Sequence, residues 1–336
     1  MSINQGKKDY IFATARVRSV EKSLLSRDKV EAMLDSKTPE DALKILDELG
    51  YGDDSEALSV TQFENMLTEE LKKVYALMRS IAPDEADLYP FLYPYDYHNL
   101  KVLLKAESLE IDPELLLIDV GTIPALQMAA LVRDRNFVDL TSQMRNALQQ
   151  VIDVFPRTKD PQLIDFIFDQ ACYAEMLAAA TAGKNQFILD YVRLQIDITN
   201  LKSFARIRQM GKPWNFFAQV FFNGGRIQDK LFIRSYDEPY ELVAEKLLPY
   251  GLSLPLAEGG IMLRETGRFT ALEKFCDNHL VEFAKTAKYV SFGIEPLAAY
   301  LIAKEADIRN IRIIMNGLLQ GLPQETTVER VRETYV

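Results

Sequence analysis

Three stretches of the sequence share one frame: DYHNLKVLLK begins at Asp96, DITNLKSFAR at Asp197 and DIRNIRIIMN at Asp307. Each stretch has an aspartate, two further residues, an asparagine, a leucine or isoleucine, and then a lysine or arginine. The copies start 101 and 110 residues apart. Solenoid repeats are shorter, with units of about 20 to 50 residues, so this spacing indicates related domains rather than a solenoid.

The apolar residues of the three copies recur with the period of a helix. They stand one, four, seven and eight residues after each aspartate, which places them in one continuous stripe on an α-helix. A proline follows each aspartate by sixteen or seventeen residues and marks the end of the unit. The apolar positions are Tyr97, Leu100, Leu103 and Leu104; Ile198, Leu201, Phe204 and Ala205; and Ile308, Ile311, Ile314 and Met315.

The repeat predicts an all-α fold of three similar helical domains, 1–108, 109–212 and 213–336, for which a pseudo-threefold arrangement is the simplest architecture. Flanking segments support helix: Thr38 and Pro39 are typical of a helix start and Gly50 of a helix end. The stretch FFAQVFFN from Phe216 has strand propensity, but its context favours helix.

The composition excludes several classes of protein. A net charge of −10 opposes nucleic-acid phosphates, and we predict no nucleic-acid partner. The only cysteines, Cys172 and Cys276, are too far apart for a metal site. The N-terminus has no signal-peptide pattern. The most apolar window, 115–132, contains Asp119 and a proline, so we predict a broken pair of buried helices and not a membrane span.

Parts for catalysis are not evident in the sequence. The two histidines, His98 and His279, belong to different units, and no other histidine or cysteine stands near either. The closest approach to a phosphate loop, AAATAGKNQ, has Ala178 in place of the first glycine and Asn185 in place of the serine or threonine. We therefore predict no ATP hydrolysis, no cofactor, no metal and no small-molecule substrate.

The polar residues of the repeat invite a catalytic interpretation, because an acid and a base recur together. Five residues apart on a helix, they point roughly 140° away from each other and cannot face one substrate. We predict a structural role instead, in which the aspartate caps or starts its helix and the other two side chains tie the helix to its own unit. These residues are Asp96, Asn99 and Lys101; Asp197, Asn200 and Lys202; and Asp307, Asn310 and Arg312.

Two aromatic features allow either packing or partner binding. The run YPFLYPYDY from Tyr89 contains Pro90 and Pro94, which we expect to prevent a regular helix before the first motif. Its tyrosines suit an irregular packed connection or a docking surface. We expect Trp214, the single tryptophan, to lie in the core, with a partner anchor as the alternative.

Three segments carry a resemblance to a known family: YIFATARVR from Tyr10, DYHNLK at Asp96, and FGIEPLAAYLIAKEADIRNIR from Phe292 to Arg312. They resemble the C subunits of archaeal and bacterial V-type ATPases, a family related to the eukaryotic d subunit. The similarity covers the whole chain and is weakest in the second unit. The most specific positions are Gly293, Glu295, Pro296, Leu297, Tyr300, Leu301, Lys304, Glu305, Asn310 and Arg312.

The resemblance implies a funnel of three helical domains that acts as a non-catalytic rotor adaptor. Its expected partners are the central shaft subunits of the catalytic head and the proteolipid ring of the membrane sector. The expected location is the cytoplasmic face of the membrane, as a peripheral subunit. The residues that contact the partners are not identified by the sequence. Two other classes stay open, a helical scaffold that binds soluble partners and an enzyme that uses paired carboxylates.

Overall fold

The computed structural model describes residues 10–52 and 60–336, and every regular element in those residues is helical. This confirms the all-α prediction. The α-helices of the described residues are α1 Ile11–Val20, α2 Arg27–Leu34, α3 Pro39–Glu48, α4 Phe63–Ile81, α5 Tyr89–Leu109, α6 Ala125–Arg133, α7 Ser142–Thr158, α8 Pro161–Ala182, α9 Gln186–Gln209, α10 Trp214–Gln219, α11 Asp229–Arg234, α12 Tyr240–Leu247, α13 Ile261–Thr266, α14 Thr270–Lys285, α15 Glu295–Leu319 and α16 Gln324–Arg330.

Local sequence signals fix several helix ends. The Thr38 hydroxyl accepts a hydrogen bond from the backbone N–H of Asp41 at 3.2 Å, so it caps α3 as predicted. The φ angle of Gly50 is +80°, a value that glycine adopts without strain after a helix end. The FFAQVFFN stretch contributes its first half to α10, which confirms helix over strand there.

The tyrosine-rich run is helical, so the expectation that its prolines prevent a helix was wrong. Helix α5 begins at Tyr89 and contains both Pro90 and Pro94. Pro90 lies in the first turn, where a backbone N–H has no intrahelical partner to lose. Pro94 removes one hydrogen bond, and the burial of Phe91 and Tyr97 on this helix supplies apolar contacts that offset the loss.

The chain forms two compact units. Unit 1 comprises Met1–Pro83, Asp197–Phe221 and Arg226–Val336, and unit 2 comprises Asp84–Ile196 and Phe222–Gly225. Helix α9 contributes its first half to unit 2 and its second half to unit 1. The predicted domain boundaries near residues 108 and 212 stay a prediction.

The core of unit 1 joins residues from both ends of the chain. Helix α15 packs against α1, α3 and α4 near the N-terminus and against α14 and α16 near the C-terminus. The apolar stripe of the third motif lies in this core. Its cluster consists of Leu25, Val30, Met33, Ala42, Leu43, Leu46, Tyr51, Phe63, Met66, Leu67, Ile308, Ile311, Ile314, Met315 and Val331.

The core of unit 2 forms where α8 packs against α5 and α7. The Tyr97 hydroxyl on α5 donates a 2.6 Å hydrogen bond to the buried carboxylate of Glu175 on α8. Phe168 meets the ring of Tyr97 edge-on at 6.2 Å between centroids. The first motif helix is therefore fixed to α8 by both apolar and polar contacts.

One burial expectation was met only in part and another was wrong. In the window 115–132 a short 3₁₀ turn, Glu114–Leu116, is separate from the helix α6, as predicted; Met128 and Leu131 on α6 are buried, but Leu115 and Leu126 are 98% and 69% exposed. Trp214 is 51% exposed and does not lie in the core. Apolar content predicts burial on average, but the surface of a folded chain retains many apolar atoms.

Candidate functional site: the three motif helices

The three motif aspartates lie inside their helices and are buried. Asp96 is in α5, Asp197 in α9 and Asp307 in α15, and each is at most 1% exposed. They do not begin or cap the helices that carry them, contrary to the expectation from sequence. A buried carboxylate needs hydrogen-bond donors, and these come from other segments of the chain.

Each aspartate binds the backbone just before the start of another helix. Asp96 accepts from the N–H of Ile123 at 3.1 Å, and Asp197 accepts from the N–H of Ile227 at 3.0 Å. The residues that follow these donors, Pro124 and Gln228, are the N-caps of α6 and α11. The carboxylate thus fixes the point at which the next helix begins.

In the third copy the donor comes from the opposite end of the chain. Asp307 accepts from the N–H of Leu25 at 2.8 Å, and the next residue, Ser26, is the N-cap of α2. Leu25 therefore stands to Asp307 as Ile123 stands to Asp96. The third motif is completed by the N-terminal segment, across 282 positions of sequence.

The motif asparagines of the first and third copies each hold a single backbone residue by both its N–H and its carbonyl. Asn99 accepts from the N–H of Ile118 at 2.9 Å and donates to its carbonyl at 2.8 Å. Asn310 does the same with Arg332, at 2.8 and 3.1 Å. Asn200 is likewise buried. This paired bond fixes the path of an irregular segment against the helix.

The basic residue of each motif forms an ion pair with an acid on a neighbouring helix. Lys101 pairs with Asp169 on α8. Lys202 pairs with Asp277 on α14 at 2.9 Å, and Arg312 pairs with Glu64 on α4 at 2.9 Å. The acid and the base of one motif therefore contact different segments, as their helical spacing requires.

Burial sets the charge properties of the three aspartates. Burial raises the pKa of Asp96 to about 6 against the lowering effect of its Thr122 and Ile123 hydrogen bonds. Burial also raises the pKa of Asp197, opposed by bonds from Ile227 and Arg226. Asp307 has a pKa of about 7, because burial outweighs the Leu25 bond and the nearby Lys304.

A buried lysine distinguishes the third copy. Lys304 is 1% exposed, its ammonium nitrogen lies 2.6 Å from a carboxylate oxygen of Glu70, and it stands 4.1 Å from the centroid of the Tyr51 ring. Desolvation of a lysine is costly unless an anion and an aromatic face surround it, as here. No pattern in the sequence singles out Glu70. A partner for Lys304 could have been expected only if Lys304 had been predicted to be buried.

The motif side chains make hydrogen bonds and ion pairs with other segments of the chain. Over the described ranges, no group of three or more histidine, cysteine or carboxylate side chains is placed to hold a metal ion. His98 contacts the carbonyl of Leu116, and His279 lies on α14, so the two histidines serve different segments. Asp277 pairs with Lys202, and also with Arg309 and Arg332. Burial would raise the pKa of Asp277, but these cations hold it below its usual range.

The helices of the described residues include none that is long and apolar enough to cross a bilayer.

Comparison with known proteins gives a consistent result over nearly the full chain. A family model of the ATP synthase (C/AC39) subunit matches residues 13–330. The chain is 24% identical to the C subunit of the V-type sodium ATPase of Enterococcus hirae over 319 residues, covering 95% of this chain and 97% of that relative. It is 25% identical to the C subunit of the A-type ATP synthase of Methanocaldococcus jannaschii over 337 residues, covering 94% and 84%. The corresponding protein of Methanosarcina mazei is 22% identical over 339 residues, covering 96% and 92%.

Proposed function

Because this chain belongs to the ATP synthase (C/AC39) subunit family, we propose that it is the non-catalytic C subunit of a V-type rotary ATPase. The observation that carries the proposal is the match over residues 13–330, together with relatives of nearly equal length that are named as C subunits. The chain works as an adaptor of the central stalk. It links the rotating shaft of the catalytic head to the proteolipid ring and transmits torque for ion transport.

The packing described above suits a part that carries torque. Close-packed helical interiors have low compressibility and transmit strain, so little energy is lost in deforming them. The motif residues add hydrogen bonds and ion pairs between segments that are far apart in sequence, such as Asp307 with Leu25 and Arg312 with Glu64. We infer that their role is structural, to keep each motif helix in register with its neighbours.

We also infer where the chain is located and how its domains are arranged. The chain sits at the cytoplasmic face of the membrane as a peripheral subunit, and its partners are the shaft subunits and the ring. Three related helical domains, with boundaries near 108 and 212, surround a funnel that receives the tip of the shaft. The recurrence of the aspartate bond in all three copies, and of the asparagine bonds in the first and third, supports three related units.

Removal of this subunit from its complex tests the adaptor role. We expect membrane vesicles that lack it to lose ATP-driven ion transport, while the detached head continues to hydrolyse ATP. Expression of the wild-type chain in the same background should restore transport and is the control. Transport that persists without the chain would refute the role in coupling. Loss of ATP hydrolysis by the head would assign the chain to catalysis or assembly. Co-purification of the chain with soluble partners alone would favour a scaffold.

A further inference from the structure

The C-terminal end of the first motif helix, α5, and the residues that follow it expose large apolar side chains to solvent. The segment 107–116, ESLEIDPELL, is called here the 107–116 surface. Leu109 is 67% exposed, Ile111 50%, Leu115 98% and Leu116 52%. Single exposed apolar residues are common on proteins, but four within eight positions form a patch of the kind that marks an interaction site.

Acidic side chains surround these apolar residues. Glu107 pairs with Arg135 at 2.5 Å. Glu110, Asp112 and Glu114 are exposed, and across the part of the chain that the structure describes none of the three is found in an ion pair with a base. The 107–116 surface therefore combines exposed apolar area with a local negative charge that the chain itself does not neutralise.

The segment is held in one conformation by contacts to its own unit. The Asp112 carboxylate accepts from the N–H of Glu114 at 3.0 Å, and the ring nitrogen Nε2 of His98 lies 3.2 Å from the carbonyl oxygen of Leu116. Asn99 holds Ile118 just beyond it by two hydrogen bonds. Leu115 and Leu116 are therefore presented without the entropic cost of ordering a loop when a partner binds.

The second copy of the repeat also exposes apolar residues at this place, but it lacks the aspartate before the proline. After the second motif helix, Met210 and Trp214 are 58% and 51% exposed, so exposed apolar residues recur at this place. The residue before the proline is Lys212 there, in place of Asp112 in the first copy. The negative charge is thus a feature of the first copy and is not required by the helix end itself.

We propose that the 107–116 surface docks a basic amphipathic helix of a partner subunit, with leucine-type anchors on the surface and lysine or arginine side chains facing Glu110, Asp112 and Glu114. This rests on the proposed function, which supplies the partner subunits. Apolar side chains spaced along one face of the partner helix can contact the exposed leucines of the 107–116 surface. Basic side chains beside them on that helix would face the acids of the surface. An anionic bilayer is the less suitable occupant, because three carboxylates would face lipid headgroups of the same sign.

Retention of the chain in the purified membrane complex tests the proposal. The triple variant E110K/D112K/E114K should reduce retention by about tenfold or more relative to wild type, because favourable cross-interface charge pairs become repulsive. The double variant L115S/L116S should also reduce it, since it removes the anchors. The neutral variant E110Q/D112N/E114Q should fall between wild type and the triple lysine variant, and its binding should depend less on salt.

Matched controls change the same numbers of charges and leucines elsewhere on exposed sites. D47K/E245K/E265K makes the same change in net charge, and L242S/L248S removes two half-exposed leucines. Both controls should be retained as wild type is, and thermal unfolding should show that every variant is folded. Folded lysine variants retained as well as wild type would overturn the proposal, as would equal losses in the controls.

Two further outcomes separate this proposal from others. If the wild-type chain itself is not retained in the complex, the proposed function fails, whereas retention of wild type and of all variants refutes the surface alone. Cosedimentation of the purified chain with phosphatidylglycerol vesicles that is lost in L115S/L116S would assign the surface to lipid and overturn the protein partner. We expect no such cosedimentation.

Discussion

Asp96 in unit 2 and Asp307 in unit 1 occupy the same position of the repeat, but their carboxylates are stabilised differently. Asp96 accepts three hydrogen bonds, from the N–H of Thr122 at 2.9 Å, its hydroxyl at 2.6 Å and the N–H of Ile123 at 3.1 Å. Asp307 accepts from the N–H of Leu25 and lies near the buried cation of Lys304. One site uses neutral donors from the following loop, and the other uses a backbone donor from the far end of the chain and a charge.

The difference shows how one motif serves two kinds of connection. In the first copy, the loop that binds Asp96 lies 26 to 27 residues downstream, so chain connectivity keeps it close. In the third copy, most of the chain separates Leu25 from Asp307, so tertiary contacts are needed to bring the two residues together. The buried pair of Lys304 and Glu70 also joins a C-terminal helix to an N-terminal one.

The largest expected effect comes from removing the charge that distinguishes the third copy. Lys304→Met should lower the free energy of unfolding by about 3 to 5 kcal/mol, because it leaves the carboxylate of Glu70 buried without its cation. Urea unfolding followed by circular dichroism measures the change. Lys101→Met in the first copy is the control and should cost at most about 1 kcal/mol, since its partner Asp169 is 42% exposed. Equal losses in the two variants would show that the copies do not differ in this way.

A smaller loss of stability is expected from a substitution in the loop that donates hydrogen bonds to Asp96. A Cβ atom at Gly121 would lie 2.0 Å from Oδ1 of Asp96, so Gly121→Ala must displace the carboxylate or the loop. We expect a loss of about 1 to 3 kcal/mol in thermal or urea unfolding, from overpacking and weakened hydrogen bonds.

Gly183→Ala in the same unit is the matched control for this change. The nearest atom to its added Cβ would be 3.5 Å away, an ordinary contact, so its stability should change by no more than about 0.5 kcal/mol. In the third copy the corresponding position is Ser23, which already carries a Cβ. A tolerated Gly121→Ala would mean that the contact to Asp96 adapts without cost.

The smallest expected difference between the two copies is in their pH dependence, because the two folded pKa values lie only about one unit apart. The folded pKa of Asp307 is about 7 and that of Asp96 about 6, against roughly 3.9 in an unfolded chain. Between the unfolded and the folded pKa of each aspartate, the folded state binds more protons than the unfolded state. The free energy of unfolding therefore falls as pH rises through that interval, by at most about 1.4 kcal/mol per pH unit for each group. Asp307→Asn should remove a slope that extends to pH 7, and Asp96→Asn a slope that ends near pH 6.

Unfolding free energies measured at half-unit steps from pH 4 to 8 distinguish the two windows. The relevant quantity is the difference between wild type and each asparagine variant, because other groups, such as His279, whose pKa burial lowers, contribute the opposite slope within this range. The ionisable side chains that interact electrostatically with Asp307 are Lys304, Tyr51 and Tyr300. Differences that are flat with pH for both variants would contradict the raised pKa values.

Some features of this protein could be predicted from the sequence alone. The helical period of the motif and the capping residues such as Thr38 act within one or two turns, so local physics fixes them and the all-α prediction was correct. The similarity of the segment 292–312 to the C subunits of V-type ATPases could also be recognised without a structure. Both conclusions depend on patterns contained in short stretches of chain.

Other features were decided only by the tertiary structure. That Asp307 binds Leu25, that Lys304 is buried beside Glu70, and that Pro94 lies within a helix all depend on which distant segments pack together. The exposure of Leu115 and Trp214 has the same origin, because an apolar side chain becomes buried only if another element covers it. A carboxylate in a sequence indicates a need for donors, but the folded chain determines which backbone supplies them and hence the pKa of the acid.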